Sequence, residues 1–189
     1  MANGEHKASQ SCVNCNSLQS ENMKLKDELA DMELRANYDV LTGLPNRRYF
    51  IECLEKRIVR CKRYGEITAL LFLDVDDLKA INDTYGHGAG DAMLVHMAKL
   101  LQDNIRASDM VARIGGDEFA LLLDNLDADR VERKILSLIE LIEASQPVSN
   151  GQILNCGAAI GYSFVGPADT ADTLMSRADE AMYQSKKRA

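Results

Sequence analysis

Along the first part of the chain, Cys15, Leu18, Asn22, Leu25, Leu29, Met32 and Ala36 recur at alternating steps of three and four. This is a heptad seam in which Leu18, Leu25 and Met32 take d positions and Asn22 is a polar a residue, a device that sets register in parallel helix pairs. The pattern predicts a helix over 15–37, preceded by a polar, flexible N-terminus over 1–14. The seam spans about three heptads, near the lower limit for a stable helix pair. A single amphipathic helix lying on its own domain satisfies the same pattern. Gly43 and Pro45 then break the helical pattern, and Asn46 is placed to cap a helix over 47–63.

Beyond this point the periodicity alternates. The unbroken apolar run from Leu70 reads as a buried strand that ends in Asp74-Val75-Asp76-Asp77. A short helix over 78–83, a glycine-rich loop over 85–90 and a helix over 90–104 follow. Met110-Val111-Ala112 and Phe119-Ala120-Leu121-Leu122-Leu123 flank Gly115-Gly116 and read as a β-hairpin over 110–124. A helix over 128–145, a strand pair over 150–166 and a last helix over 170–188 complete the chain. Alternating helices and strands around an antiparallel hairpin define an α+β fold, with a mixed central β-sheet flanked by helices and an N-terminal helix attached. The division expected is an N-terminus over 1–14, a helix over 15–37 and one domain over 38–189.

The 189 residues suffice for one domain with an appendage, and 22 basic against 29 acidic residues give a net charge of −7. This balance disfavours a nucleic-acid polymer as partner, because no basic stripe is present. It leaves a nucleotide open, since metal ions can mediate between carboxylates and phosphates. The longest apolar stretch, 67–73, is too short to span a membrane, and the polar first ten residues lack the apolar segment of a signal peptide. Five scattered cysteines point to a reducing, cytoplasmic setting. Cys12 and Cys15, with His6 upstream, would make only part of a zinc site, which needs four ligands; loose thiols are the plainer reading. His87 and His96 are assigned no chemistry.

The candidate chemistry lies at strand ends. Asp74 closes an apolar strand where burial would be costly unless the carboxylate is paired or bound to metal. Asp117 and Glu118 follow the two hairpin glycines, and the three acids together suit Mg²⁺ or Mn²⁺. Gly115 and Gly116 permit positive φ and close approach of a ligand to the backbone. Asn82 and Asp91 flank the glycine-rich loop and match the hydrogen-bonding edge of guanine, although they also make good loop contacts. Lys79 and Lys186 are candidate phosphate contacts, although isolated lysines are mostly solvated.

Four segments carry a resemblance: Asp39-x-Leu-Thr-Gly-Leu-Pro-Asn-Arg-Arg48, Asp74-Val-Asp-Asp-Leu-Lys-Ala-Ile-Asn-Asp83, Tyr85-Gly-His-Gly-Ala-Gly-Asp91 and Arg113-Ile-Gly-Gly-Asp-Glu-Phe119. Together they resemble the GGDEF family of diguanylate cyclases over roughly 37–189. The resemblance implies a fold related to nucleotide cyclases and polymerase palm domains, and condensation of two GTP into cyclic di-GMP with release of two pyrophosphates. It implies metal binding by Asp74, the Val75 carbonyl, Asp117 and Glu118, with two Mg²⁺ (or Mn²⁺) per site. Asp117, Glu118 and Lys79 are implied to be catalytic. Asn82 and Asp91 resemble the guanine readers, Gly115-Gly116 the triphosphate cradle, Lys79 and Lys186 phosphate contacts, and Asp77 and Leu78 further substrate contacts. Because each domain holds one GTP, catalysis needs a homodimer, for which the heptad helix raises the effective concentration.

Arg106-Ala107-Ser108-Asp109 resembles the family's RxxD site for inhibition by the product. Its chemistry suits a guanine or phosphate ligand, while a simple i, i+3 ion pair is the alternative. The family usually continues past the final lysine with Gly-Arg-Asn, whereas this sequence ends Lys186-Lys187-Arg188-Ala189. One phosphate-contacting arginine is therefore expected to be missing or replaced by Arg188. Two other readings remain open: a module that binds GTP or cyclic di-GMP without turnover, and a dimerisation scaffold.

Overall fold

The computed structural model describes residues 5–187, with side chains described from residue 18 onward, Ala30 excepted. The chain divides into two units, 1–37 and 38–189. The first is one helix, α1 (Glu5–Asn37), which begins ten residues ahead of the heptad seam and takes in most of the segment expected to be loose. The seam residues Leu18, Leu25, Leu29 and Met32 are all exposed. The side chains of His6, Cys12 and Cys15, and Arg188 as a whole, lie outside what is described.

The second unit carries α2 (Arg47–Tyr64), β1 (Thr68–Val75), α3 (Leu78–Tyr85), α4 (His87–Asp103), β2 (Met110–Arg113), β3 (Glu118–Asp124), α5 (Ala128–Ala144), β4 (Val148–Ser149), β5 (Gln152–Ile153), β6 (Ala158–Phe164) and α6 (Ala171–Lys186). Local chemistry sets many of these boundaries. Asn46 Oδ1 accepts the Tyr49 amide at 3.1 Å to start α2, and Asp127 does the same for Arg130 at 2.9 Å to start α5. Gly65, at φ +68°, ends α2 in the left-handed region.

The sheet order is β2-β3-β1-β6. All three neighbouring pairs are antiparallel. β2 runs in the same direction as β1, but β3 returns from the hairpin and inserts between them, so no two parallel strands are neighbours. The parallel component expected of a mixed sheet is reduced to an isolated bridge between Asn46 and Arg113. The strand pair expected over 150–166 is instead the tiny β4–β5 hairpin followed by the long strand β6.

Strand alternation divides the core in two. Leu71, Leu73, Val75, Phe119, Leu121 and Leu123 face Met93, Met97 and Leu101 of α4, Val131 and Leu138 of α5, and Leu78 and Ile81 of α3. Leu70, Phe72, Ala120 and Leu122 face Phe50 and Leu54 of α2 and Leu174, Ala178 and Met182 of α6. The glycine-rich segment after Tyr85 is not a loop. Only Gly86, at φ +85°, breaks the chain; α4 begins at His87, and Ala89 and Gly90 are already buried inside it.

Candidate active site

The register places Asp74 directly opposite Glu118 on adjacent strands, so their Cβ atoms are about 5 Å apart on one face of the sheet. That face is the one shared by Phe72 and covered by α2 and α6. Asp117 precedes β3, and its carbonyl accepts the Val75 amide at 3.0 Å. Three carboxylates and the Val75 backbone thus gather where β1 and β3 open to solvent. Among the described residues, no three histidine, cysteine or acidic side chains converge closely enough to enclose an ion. The arrangement is an open acidic edge, which suits a cation that keeps several waters and takes phosphate oxygens as well.

A cation already sits there. The Lys186 ammonium, reaching from the end of α6, hydrogen-bonds Asp74 Oδ1 and lies 3.7 Å from Asp76 Oδ1. The bond to Asp74 raises the Lys186 pKa above its ordinary value, while partial burial raises that of Asp76. Lys186 is thus the counter-charge that these carboxylates hold in the structure.

The Glu118 pKa is raised above the ordinary glutamate value. Burial raises it first, followed by repulsion from Asp117, Asp74 and Asp179, and only Arg47 opposes this. Arg47, Asp172, Ser176 and Asp179 line a cleft with Glu118 on the α2/α6 face. Sequence reading missed Arg47, Asp76 and Asp179; the run 74–77 pointed to Asp76, but nothing local pointed to the others, because they arrive from other helices. A raised carboxylate pKa destabilises the fold once the group ionises. Glu118→Gln should therefore raise the melting temperature of metal-free protein at pH 8. The gain should shrink as the pH falls through the raised folded-state pKa of Glu118 and vanish only below the ordinary glutamate value, where the side chain is protonated in both the folded and unfolded states. A melting series from pH 4 to 8 checks this.

Neither Gly115 nor Gly116 is in the left-handed region, so positive φ is not what either supplies. A Cβ on Gly115 would lie 2.2 Å from Glu118 Oε2, so glycine makes room for that carboxylate. A Cβ on Gly116 would meet nothing within 4 Å, and the tip is open to solvent.

Behind the acidic edge, Asp77 sits at φ +54°, a costly conformation for a non-glycine residue, and its side chain does not cap α3. The first amides of α3, from Leu78 onward, face an anion-attracting helix terminus. Lys79 is exposed on the same turn. Asn82, on α3, packs against α4 where Gly90 leaves room: a Cβ there would lie 2.1 Å from Asn82 Oδ1. Asp91, the next residue of α4, is exposed. Asn82 and Asp91 are thus brought to one helix–helix junction.

Arg106 and Asp109 lie at the opposite end of the sheet, on the turn before β2. Asp109 Oδ2 accepts the Arg106 amide at 3.1 Å and Oδ1 the Asp124 amide at 3.2 Å. The carboxylate braces the turn through backbone groups and leaves Arg106 exposed. The adjoining cleft also takes Arg130, Arg133 and Lys134 from α5, a basic cluster that the sequence alone did not single out.

Residues 36–189 match the family described as "Diguanylate cyclase, GGDEF domain". The chain is 38% identical over 174 residues to diguanylate cyclase TpbB of Pseudomonas aeruginosa, covering 91% of this chain and 40% of that protein. It is 39% identical over 153 residues to response regulator PleD of Caulobacter vibrioides, covering 78% of this chain and 33% of that protein. The chain thus spans well under half the length of these relatives. The coiled coil and GGDEF domain of DgcB from Caulobacter crescentus, solved in complex with c-di-GMP, superposes with a TM-score of 0.88 over 94% of both chains at 24% identity, a likeness of fold. This chain belongs to the GGDEF diguanylate cyclase family. Among its described residues, no helix is long and apolar enough to cross a membrane.

Proposed function

We propose that this chain is a diguanylate cyclase that joins two GTP into cyclic di-GMP at the edge formed by Asp74, Asp117 and Glu118. The observation that carries the reading is the cross-strand pairing of Asp74 with Glu118 beside a hairpin tip that leaves open space. Asp74, the Val75 carbonyl, Asp117 and Glu118 would hold Mg²⁺ or Mn²⁺, two per site. The chemistry supplied by such ions is charge neutralisation of the triphosphate and polarisation of the α-phosphate. Lys186 leaves Asp74 for the phosphates, and Lys79 with the Asp77–Leu78 backbone neutralises and orients them. Asp91 accepts the two guanine N–H donors, and Asn82 meets the same edge with an amide. Gly115 and Gly116 keep the phosphate path clear. The 3′-oxygen of one GTP then attacks the α-phosphorus of the other and pyrophosphate leaves; the reciprocal step closes the ring.

Ring closure needs two such domains face to face. The exposed heptad residues of α1, with Asn22 on an a position, support a parallel homodimer that supplies the second site. Arg106 and Asp109, with the basic cleft beside them, support feedback inhibition by the anionic product. One assay tests the reading: purified protein, GTP and Mg²⁺, with cyclic di-GMP measured at several protein concentrations. Specific activity should rise steeply with concentration. GTP binding without product at micromolar protein overturns the cyclase in favour of a binding module. In the same assay, Arg106→Ala should weaken product inhibition by tenfold or more while leaving the initial rate unchanged.

A further inference from the structure

Arg113 ends β2, two residues before the hairpin glycines. Its guanidinium faces two ways. Nη1 donates to Asp39 Oδ1 at 3.1 Å and Oδ2 at 3.3 Å, and Nη2 donates to the Gly116 carbonyl at 2.8 Å. Its Nε is buried without a partner, so the side chain is held by these two contacts. Asp39 is itself fixed, accepting the Thr42 amide at 2.8 Å and the Thr42 hydroxyl at 2.7 Å. Burial would raise the Asp39 pKa, but the Thr42 bonds and Arg113 carry it below the usual carboxylate value. The Arg113 amide also donates to the Pro45 carbonyl at 3.0 Å. The turn over 39–46 is therefore bolted to the hairpin through one arginine.

Within the hairpin, the Ile114 and Gly115 amides both reach the Glu118 carbonyl, at 2.9 and 3.3 Å. Those bonds close the loop at its base; among the described contacts, only Arg113 Nη2 grips the carbonyl at the Gly115–Gly116 tip. We infer that Arg113, held by Asp39, is a positioning residue that fixes the Gly116 carbonyl and so sets where Asp117 points. Asp39 lies two residues after the last residue of α1, so the segment that leaves that helix becomes part of the support of the acidic edge. The effect on turnover rests on the cyclase reading above; the effect on the hairpin does not.

A planar guanidinium serves two acceptors at fixed separation, which an ammonium cannot do. Arg113→Ala should lower kcat at least tenfold with KM for GTP within threefold of the native value, and Arg113→Lys should recover only a minor part. Adding Asp39→Asn to Arg113→Ala should cost little more, because both belong to one clasp. Hydrogen exchange followed by mass spectrometry supplies the independent readout: the Ile114 and Gly115 amides should exchange faster in Arg113→Ala. The control is Arg177→Ala, which removes an ion pair to Asp169 of 2.8 Å at the end of β6 that pairs with Ala69 and Leu70, away from Asp74 and the hairpin; it should lower the melting temperature and leave kcat and hairpin exchange unchanged. If Arg113→Ala does not fold, Asp39→Asn alone is measured in the same way. Unchanged hairpin exchange, or faster exchange with native kcat, overturns the positioning role. A wild-type protein without turnover defeats the cyclase reading alone, and the exchange data still decide the clasp.

Discussion

Replacing Asp117 and Glu118 together with alanine should reduce cyclic di-GMP formation by at least about a thousandfold while the domain stays folded. The two side chains are half-buried at the mouth of the sheet, and the core beneath them begins at Phe119, which is fully buried and untouched by the change. Of the three acids facing the proposed phosphates, only Asp74 would remain, and Lys186 already pairs with it. Charge stabilisation at such a site supplies several kcal/mol of barrier reduction, and each 1.36 kcal/mol is tenfold in rate. Stability should hold or rise, because the substitution removes a carboxylate whose pKa burial, and then its acidic neighbours, push up; sites assembled for function commonly carry this cost. Chromatographic product analysis beside thermal melting gives both halves of the result. Turnover near the native rate would remove the two carboxylates from the chemistry.

Gly161→Ala should have the largest effect on stability. Gly161 lies in β6 opposite Phe72, and α6 crosses it so closely that a Cβ would lie 2.0 Å from the Met182 amide nitrogen and 2.5 Å from the Ala181 carbonyl carbon. The obstruction is helix backbone, which cannot rotate aside as a side chain would. Relief requires α6 to lift from β6 along a well-packed face, and overpacking of this kind costs on the order of 3 kcal/mol, equivalent to a melting temperature lowered by about 6–12 °C in a domain of this size. Turnover should fall as well, because α6 delivers Lys186 to Asp74. A melting temperature within about 2 °C of native would show that the helix yields at little cost.

Much of this architecture was legible in the residues themselves. The apolar run before Asp74, the hairpin around Gly115-Gly116 and the Asn46 cap each follow from chemistry within a few neighbours, and the elements formed where that chemistry placed them. The errors fall where a distant partner overrides the local signal. Glycines suggested a loop over 85–90, yet Gly90 is helical because the Asn82 side chain needs the space a Cβ would fill. Gly115 suggested a backbone of unusual φ, yet its role is to admit the Glu118 carboxylate. Alternating strands and helices suggested a mixed sheet, yet β3 inserts beside β1 and leaves every strand pair antiparallel.

The candidate site divides in the same way. Asp74, Asp117, Glu118, Asn82, Asp91, Lys79 and Lys186 could be singled out by position in the chain, because strand ends, turns and helix starts carry recognisable local chemistry. Which of them meet could not be read there: Asp74 and Glu118 lie 44 positions apart in the sequence and pair only through the sheet register. The same holds for Arg47 and Asp179 beside Glu118, for the basic face of α5 beside Arg106, and for Arg113 reaching from Asp39 to the Gly116 carbonyl. Periodicity, caps and glycines act over a few residues, so the sequence by itself determined the elements and the kinds of group they carry. Register, helix crossing and side-chain burial arise from contacts remote in sequence, so only the tertiary structure decided which carboxylates share an edge and which arginine holds it in place.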